Sequence, residues 1–264
     1  MIKKVTIFPN NDLSSLKVKK KLISKLKKNG FIIDDENFNL SIAIGGDGTF
    51  LEMIRNNHFN RDVYYIGINT GTLGFAQEIY PKELDRFLDS LNEKNYKKEE
   101  ISIGKVVIKT KNNSFELNFL NEILIRDNNL KTIHLDVLVD KEILESFVGD
   151  GLLLSTSFGS TAYNLSFGGS IVYNDLSVLQ LTPIAPIYNK SYKSLRNSVI
   201  IPSKRKIYII PKLNNSLLIT LDGISYCYDD VVSVKVLIEK KKIKCLRMHN
   251  YDYTRRINEK FVKD

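Results

Sequence analysis

The sequence predicts an α/β N-terminal domain followed by a mostly β, sandwich-like C-terminal domain, and three observations carry that reading. Between Ile2 and Leu91 short apolar runs alternate with stretches of helical spacing, the pattern of β-α units. Within that region Ile42 to Phe50 reads as strand, glycine turn and helix, with Gly45, Gly46 and Gly48 around a single carboxylate, Asp47. After the charged stretch Lys94 to Glu100 the pattern becomes strand after strand with turn signals between. The expected division is 1–97 for the α/β domain and 98–248 for the sandwich, with the segment 249–264 packing back on the first. A chain of 264 residues, 43% of them hydrophobic, has room for both cores.

Taken in order, Ile2 to Phe8 is the first strand, and Val18, Leu22 and Leu26 at fourfold spacing mark a helix that Gly30 stops. Phe31 to Ile33 is a short strand. Leu40 to Ile44 is largely apolar, as a strand buried on both faces would be, and Phe50, Leu51 and Ile54 keep helical spacing behind Thr49. Tyr64 to Ile68 is another buried strand, and Asn69 to Phe75 forms a second small-residue loop at the same strand ends, where open parallel sheets put their ligands. Pro81 opens a helix whose Leu84, Phe87, Leu88 and Leu91 form one apolar stripe. In the second domain Ile133, Leu135, Val137 and Val139 alternate with polar residues. Val199–Ile201, Ile207–Ile210, Leu217–Leu221, Val231–Val236 and Ile243–Leu246 follow as further strands, and Tyr253 to Val262 as a weakly amphipathic terminal helix.

Composition narrows the function. The formal net charge of +9 suits either a nucleic-acid binder or an enzyme that draws in polyanionic substrates. The lysines between Lys17 and Lys28 crowd one helix without interleaved aromatics, so a solvated helix face is expected and nucleic acid is not. His58, His134 and His249 are scattered, which gives no zinc site and no histidine-centred triad. Cys227 and Cys245 lie in strand-like stretches and read as reduced, half-buried thiols. The N-terminus has neither a long apolar segment nor a cleavage signal, so the expectation is a cytoplasmic protein without membrane partners.

The glycine loop brings backbone amides to a helix N-terminus, where phosphate oxygens are stabilised, and its glycines remove Cβ atoms that would hold a phosphate away. Asp47 is the odd residue, because a carboxylate repels phosphate unless it takes a proton or works through a metal. No Gly-Lys-Ser/Thr follows and the spacing is not GxGxxG, so the loop is neither a Walker motif nor a dinucleotide fingerprint. By itself it could equally be a surface turn. In the β region Asn121 and Glu122 interrupt an apolar strand, Asp150 stands between Gly149 and Gly151, and Ser155 to Asn164 is rich in hydroxyls. Each alone has a structural explanation as bulge, hairpin turn or capping segment; together they read as a site.

In this combination the chain resembles the NAD kinases, which phosphorylate NAD to NADP. The likeness rests on Gly45–Leu51, Gly67–Phe75, Asn121 Glu122, Gly149–Gly151, Gly159–Tyr163 and Leu181–Pro186, in the family's order and spacing. It implies that Asp47 accepts the proton of the adenosine ribose 2′-hydroxyl, while Gly45, Gly46, Gly48 and Thr49 hold ATP phosphates bridged by a divalent cation, Mg²⁺. It also implies NAD binding by Phe75, Asn121, Glu122, Asp150, Thr161, Ala162, Tyr163, Ser166 and Ala185, with Asp222 near the ligand, although Asp222 Gly223 is explained equally by a hairpin turn. A homo-oligomer, dimer or tetramer, is implied as well. Two departures flank the NAD loop: Val148 stands where many members have arginine, and Ser157 Phe158 replace a proline and a small polar residue. Phe158 either offers NAD a stacking surface or packs in the core. Competing readings are a lipid kinase with the same Gly-Gly-Asp-Gly loop and a non-catalytic dinucleotide sensor.

Overall fold

The computed structural model describes residues 2–71, 74–213 and 215–263. Thr72 and Leu73 of the second small-residue loop lie outside the described residues. The chain divides into two compact units, Met1–Ile101 with Lys242–Asp264, and Ser102–Lys241.

The first unit opens with β1 (Lys4–Pro9), α1 (Leu13–Lys28), β2 (Ile32–Ile33), β3 (Leu40–Gly45), α2 (Asp47–Asn56), β4 (Tyr64–Asn69), α3 (Leu84–Glu93) and β5 (Tyr96–Ile101). Asp12 caps α1 by accepting the Ser15 N–H at 2.8 Å, and the hydrogen bond from the Ser14 hydroxyl first, then that N–H, hold the Asp12 carboxyl down at about 2. Lys25, Lys27 and Lys28 sit in its last turn, where the helix dipole favours cations, and Gly30 takes a φ of +76° beyond it. Leu22 and Leu26 are buried while no lysine of α1 is, so the basic run is the solvated face. Every residue of β3 is buried because α1 and α2 both pack against it. A 3₁₀ turn over Pro81–Glu83 leads into α3, which buries Leu84, Phe87, Leu88 and Leu91.

The second unit contains β6 (Gly104–Thr110), β7 (Ser114–Phe119), β8 (Glu122–Asp127), β9 (Ile133–Val139), β10 (Glu142–Gly149), β11 (Gly151–Thr156), the single turn α4 (Tyr163–Ser166), β12 (Val178–Ile184), β13 (Val199–Pro202), β14 (Ile207–Pro211), β15 (Leu217–Leu221), β16 (Ile224–Tyr228) and β17 (Val231–Ile238). They form two six-stranded sheets, ordered β10-β9-β14-β17-β6-β7 and β13-β12-β11-β8-β15-β16. Alternate residues meet in one core: Val106, Leu135, Val137 and Val234 from the first sheet, Ile123, Ile125, Leu152 and Leu154 from the second. Leu124 and Leu153 point the other way, where Ile184 and Phe167 cover them.

Two of the polar interruptions acquire a structural meaning here. Asn121 does not interrupt a strand. It lies in the link between β7 and β8, where the chain crosses from one sheet to the other, and Asp150 occupies the corresponding crossing from β10 to β11. Such corners break the pleat, so the side chains there are freed from the sandwich core.

The chain then returns to the first unit as β18 (Ile243–Met248) and α5 (Tyr253–Phe261). Strand β18 pairs parallel with β4 and antiparallel with β5, completing a sheet ordered β2-β1-β3-β4-β18-β5. The units therefore meet at 101/102 and 241/242, where the sequence suggested 97/98 and 248/249. An apolar strand such as Ile243–Leu246 fits either sheet, and nothing local says which. Cys245 is fully buried in β18 and Cys227 exposed in β16, so the two thiols are not alike and neither is half-buried. Among the described residues no helix is long and apolar enough to cross a membrane.

Candidate active site

From β1 the chain leaves through α1 to one side of the sheet, and from β3 through α2 to the other, which makes the space beyond the carboxyl ends of β1 and β3 a topological switch point. The glycine turn sits there. A Cβ on Gly45 would lie 2.3 Å from Thr49 Oγ1, so the strand can pass this close to α2 only as glycine. The Gly45 carbonyl accepts the Thr70 N–H at 3.2 Å, the Asn10 N–H reaches the Ile44 carbonyl at 2.7 Å, and the buried Gln77 amide donates to the Gly46 carbonyl. Two small-residue loops are thereby fastened together. Gly46 caps α2 and is half-buried, Gly48 is exposed, and Thr49 is buried.

Asp47 opens α2, half-buried, and its carboxylate faces the second loop: Oδ2 accepts the Phe75 N–H at 2.8 Å and Oδ1 the Ala76 N–H at 3.1 Å. Two amides fix the plane of the carboxylate and leave lone pairs for a further donor. Gly74 makes this approach possible, because a Cβ there would fall 2.1 Å from Asp47 Oδ1. The ring of Phe75 is covered by Phe261 and Tyr253 of α5, at centroid distances of 5.4 and 5.9 Å. What Phe75 gives the loop is thus its backbone N–H.

In the second unit the polar residues fall into two groups. Asp222 accepts N–H groups from Leu120 and Asn121 at 2.7 Å and from Glu122 at 3.2 Å. The Asn121 carbonyl takes the Thr156 N–H at 2.9 Å, and Gly159 passes so near that a Cβ would lie 2.1 Å from that carbonyl oxygen. Glu122 is buried; desolvation, and then the charge of Asp222, push its carboxyl up to about 8 against a hydrogen bond from the Tyr163 N–H. Phe158 is buried, Thr161 and Ala162 are half-buried, and Tyr163 and Ser166 are exposed. Asn164 supports this segment from beneath, donating to the Ser160 carbonyl at 3.1 Å and accepting the Thr182 hydroxyl at 2.7 Å.

Asp150 and Ala185 form the other group. Both are exposed, the Asp150 N–H donates to the Ile184 carbonyl at 3.0 Å, and Ala185 holds a φ of +45°. They stand at the opposite end of β11 from Glu122, which pairs with Ser155. Five residues of strand separate the two groups, roughly 16 Å. The fold therefore does not gather all the expected NAD positions of this unit at one point.

Sequence reasoning missed Gln77 and Arg247, both buried in the first unit. Neither stood out in the sequence: Arg247 follows the strand-like run Ile243–Leu246, which already holds a charge in Lys244, and Gln77 lies in a loop.

A glycine turn with one anchored carboxylate at a sheet switch point, on a chain that also builds a sandwich with a polar corner, fits a phosphotransferase of the kinase type. Residues 8–96 match the ATP-NAD kinase N-terminal domain and residues 120–248 the ATP-NAD kinase C-terminal domain. The chain belongs to the ATP-NAD kinase family, phosphotransferases with an alcohol group as acceptor. The NAD kinase of Finegoldia magna is 37% identical over 98% of this chain and 97% of its own length. NAD kinase 1 of Oceanobacillus iheyensis is 32% identical over 98% of each. Among solved structures, yeast NADH kinase complexed with NADH shares the fold at a TM-score of 0.88, with 23% identity, covering 100% of this chain and 89% of that one. An NAD kinase from Archaeoglobus fulgidus in complex with ATP gives a TM-score of 0.74 at 21% identity, covering 98% and 97%. The match to ATP-NAD kinase models in both halves sets the lipid-kinase reading aside.

Proposed function

We propose that this chain is an NAD kinase that transfers the γ-phosphoryl group of ATP to the adenosine ribose 2′-hydroxyl of NAD, with Asp47 as general base. The observation that carries the residue assignment is the anchoring of Asp47: a carboxylate fixed by the Phe75 and Ala76 amides beside the first turn of α2 stands next to phosphate-binding amides without turning into them. Asp47 takes the hydroxyl proton, the ribose oxygen bonds to the γ-phosphorus in line, the bond to the β-phosphate oxygen breaks, and ADP leaves with those electrons. Gly46 and Gly48 give phosphate oxygens access to backbone amides, and Thr49 braces the turn from within.

The corner made by half-buried Asn121 and Asp222 and buried Glu122, with Thr161, Ala162, Tyr163 and Ser166 beside it, offers hydroxyls, an amide and a carboxyl group suited to a dinucleotide; Asp150 and Ala185 act from the other end of β11. Phe75 serves through its backbone, and Phe158 through packing under the loop. Among the described residues there is no group of three or more His, Cys, Asp or Glu able to hold a metal. That donor set fits a Mg²⁺ carried in on the triphosphate, which asks for one or two carboxylates rather than a protein cage; Asp47 is the carboxylate at hand. Bound there, the cation would neutralise phosphate charge. Homo-oligomeric assembly and a cytoplasmic site of action complete the proposal, and light scattering tests the first.

Incubating the protein with ATP, Mg²⁺ and NAD should yield NADP, and excess chelator should stop it. Binding of NAD without turnover would favour the sensor reading instead.

A further inference from the structure

The peptide that fixes Asp47 is itself held from behind. Arg247 in β18 is 2% exposed, and its Nη1 donates to the Ala76 carbonyl at 3.0 Å, while the Ala76 N–H donates to Asp47 Oδ1 at 3.1 Å. The same guanidinium gives Nε to Glu99 Oε2 at 2.6 Å, lies 3.7 Å from Glu78 Oε2, and stacks 4.5 Å above the Tyr251 ring. An arginine inside an apolar strand is costly unless its donors are paired. Here one of those pairings runs directly to the loop that aims the catalytic carboxylate. A planar fork serves the Ala76 carbonyl and the Glu99 carboxylate at a fixed angle to each other, which an ammonium on a flexible stem does not impose.

We propose that Arg247 is a positioning residue for Asp47. It fixes the Ala76 peptide, and through the Ala76 N–H it sets the direction of the carboxylate; the Phe75 ring, clasped by Tyr253 and Phe261, steadies the neighbouring peptide in the same way. Strand β18 and helix α5 thus reach Asp47 through two backbone amides. This rests on the reading of Asp47 as general base. The rival account is that the buried ion pairs only stabilise the sheet.

Arg247→Lys keeps a cation opposite Glu78 and Glu99 but loses the two-way fork. With NADP formation as the readout, kcat should fall about ten- to a hundredfold, as small misplacements of a catalytic group do, with KM for ATP and for NAD within about twofold of wild type. Arg247→Lys combined with Asp47→Asn should be no slower than Asp47→Asn alone, because both losses pass through one carboxylate. A folded Arg247→Lys with wild-type kcat overturns the proposal, and so does a double variant in which the two losses multiply. Should Arg247→Lys fail to fold, Arg247→Met with Glu78→Gln and Glu99→Gln removes the buried charges as a unit and is judged by the same two readings. Asp47→Asn in the series separates the failures. If it keeps full activity the base assignment falls and the positioning role with it; if it is crippled beside an unimpaired Arg247→Lys, only the positioning role falls.

Discussion

Asp222 accepts the Asn121 N–H at 2.7 Å, tying the turn between β15 and β16 to the crossing from β7 to β8. Asp222 and Gly223 both have positive φ, +46° and +84°, as a two-residue hairpin turn of the primed kind requires. The hairpin turn read from Asp222 Gly223 is thus also part of the polar corner: the turn aims the carboxylate that holds Leu120, Asn121 and Glu122. Asp222→Ala should destabilise the protein by about 1 to 3 kcal/mol, since it strands partly buried amides and puts a Cβ residue without local hydrogen bonding in the left-handed region. Asp222→Asn keeps an acceptor and should lose less. Denaturant melts of both decide, and an Asp222→Ala variant as stable as wild type removes the pin.

Glu122 gives a pH dependence of stability. Burial first and Asp222 second raise its folded-state carboxyl to about 8 from an ordinary 4.5, so between those values the folded protein holds a proton that the unfolded chain has released. The stability contributed by protonated Glu122 is complete below about 4.5 and is lost as pH rises through about 8. Glu122→Gln, which cannot ionise, should flatten the decline in melting temperature of the ligand-free protein over this window and melt several degrees higher than wild type at its alkaline end. Equal slopes in the two proteins would assign the decline to other groups.

Asp47→Asn should lower kcat by about 10²- to 10⁴-fold with NAD affinity retained, the range for loss of a general base. The amide also turns a donor toward the Phe75 or Ala76 N–H. A loss below about tenfold would move the role elsewhere.

Gly74→Ala tests the geometry without altering a functional group. Its Cβ would fall 2.1 Å from Asp47 Oδ1 and 2.5 Å from Cγ, so the carboxylate must move. A fall of about ten- to a hundredfold in kcat, in a variant melting near wild type, is expected. Unchanged kcat would show that the position of Asp47 is not critical.

How far the sequence disclosed this arrangement depends on the range of the interactions. The continuous apolar run of β3, the stripe of α3 and the alternation in β9 are local consequences of burial and could be read directly. The place of β18 could not, because its pairing with β4 joins residues about 180 positions apart and its side chains suit either unit. Gly74 and Gly159 were visible as glycines, but the Asp47 carboxylate and the Asn121 backbone they make room for were not. Backbone donors such as the Phe75 and Ala76 amides leave no trace in residue type. Motif order likewise grouped Asp150 with Glu122, whereas β11 holds them at opposite ends.

Phe158 is the departure from the family pattern with the sharpest test. It lies in the 3₁₀ turn Phe158–Thr161 between β11 and α4, and only 7% of its surface is exposed. A ring that stacks on a bound planar group needs an open face before the ligand arrives, and 7% exposure leaves little. Packing beneath the loop is therefore the expected role. Truncating a buried Phe costs roughly 3 to 5 kcal/mol, so Phe158→Ser should lower the melting temperature by many degrees, while the fraction that stays folded keeps a KM for NAD near wild type. Stacking predicts the reverse: base-to-aromatic contact is worth roughly 1 to 3 kcal/mol, so KM would rise about five- to a hundredfold with stability nearly kept. Phe158→Leu separates the two further, since it refills most of the volume but offers no aromatic face; it should restore the melting temperature and leave KM unchanged. A Phe158→Leu variant that is stable yet binds NAD more than about fivefold more weakly would return the ring to the ligand.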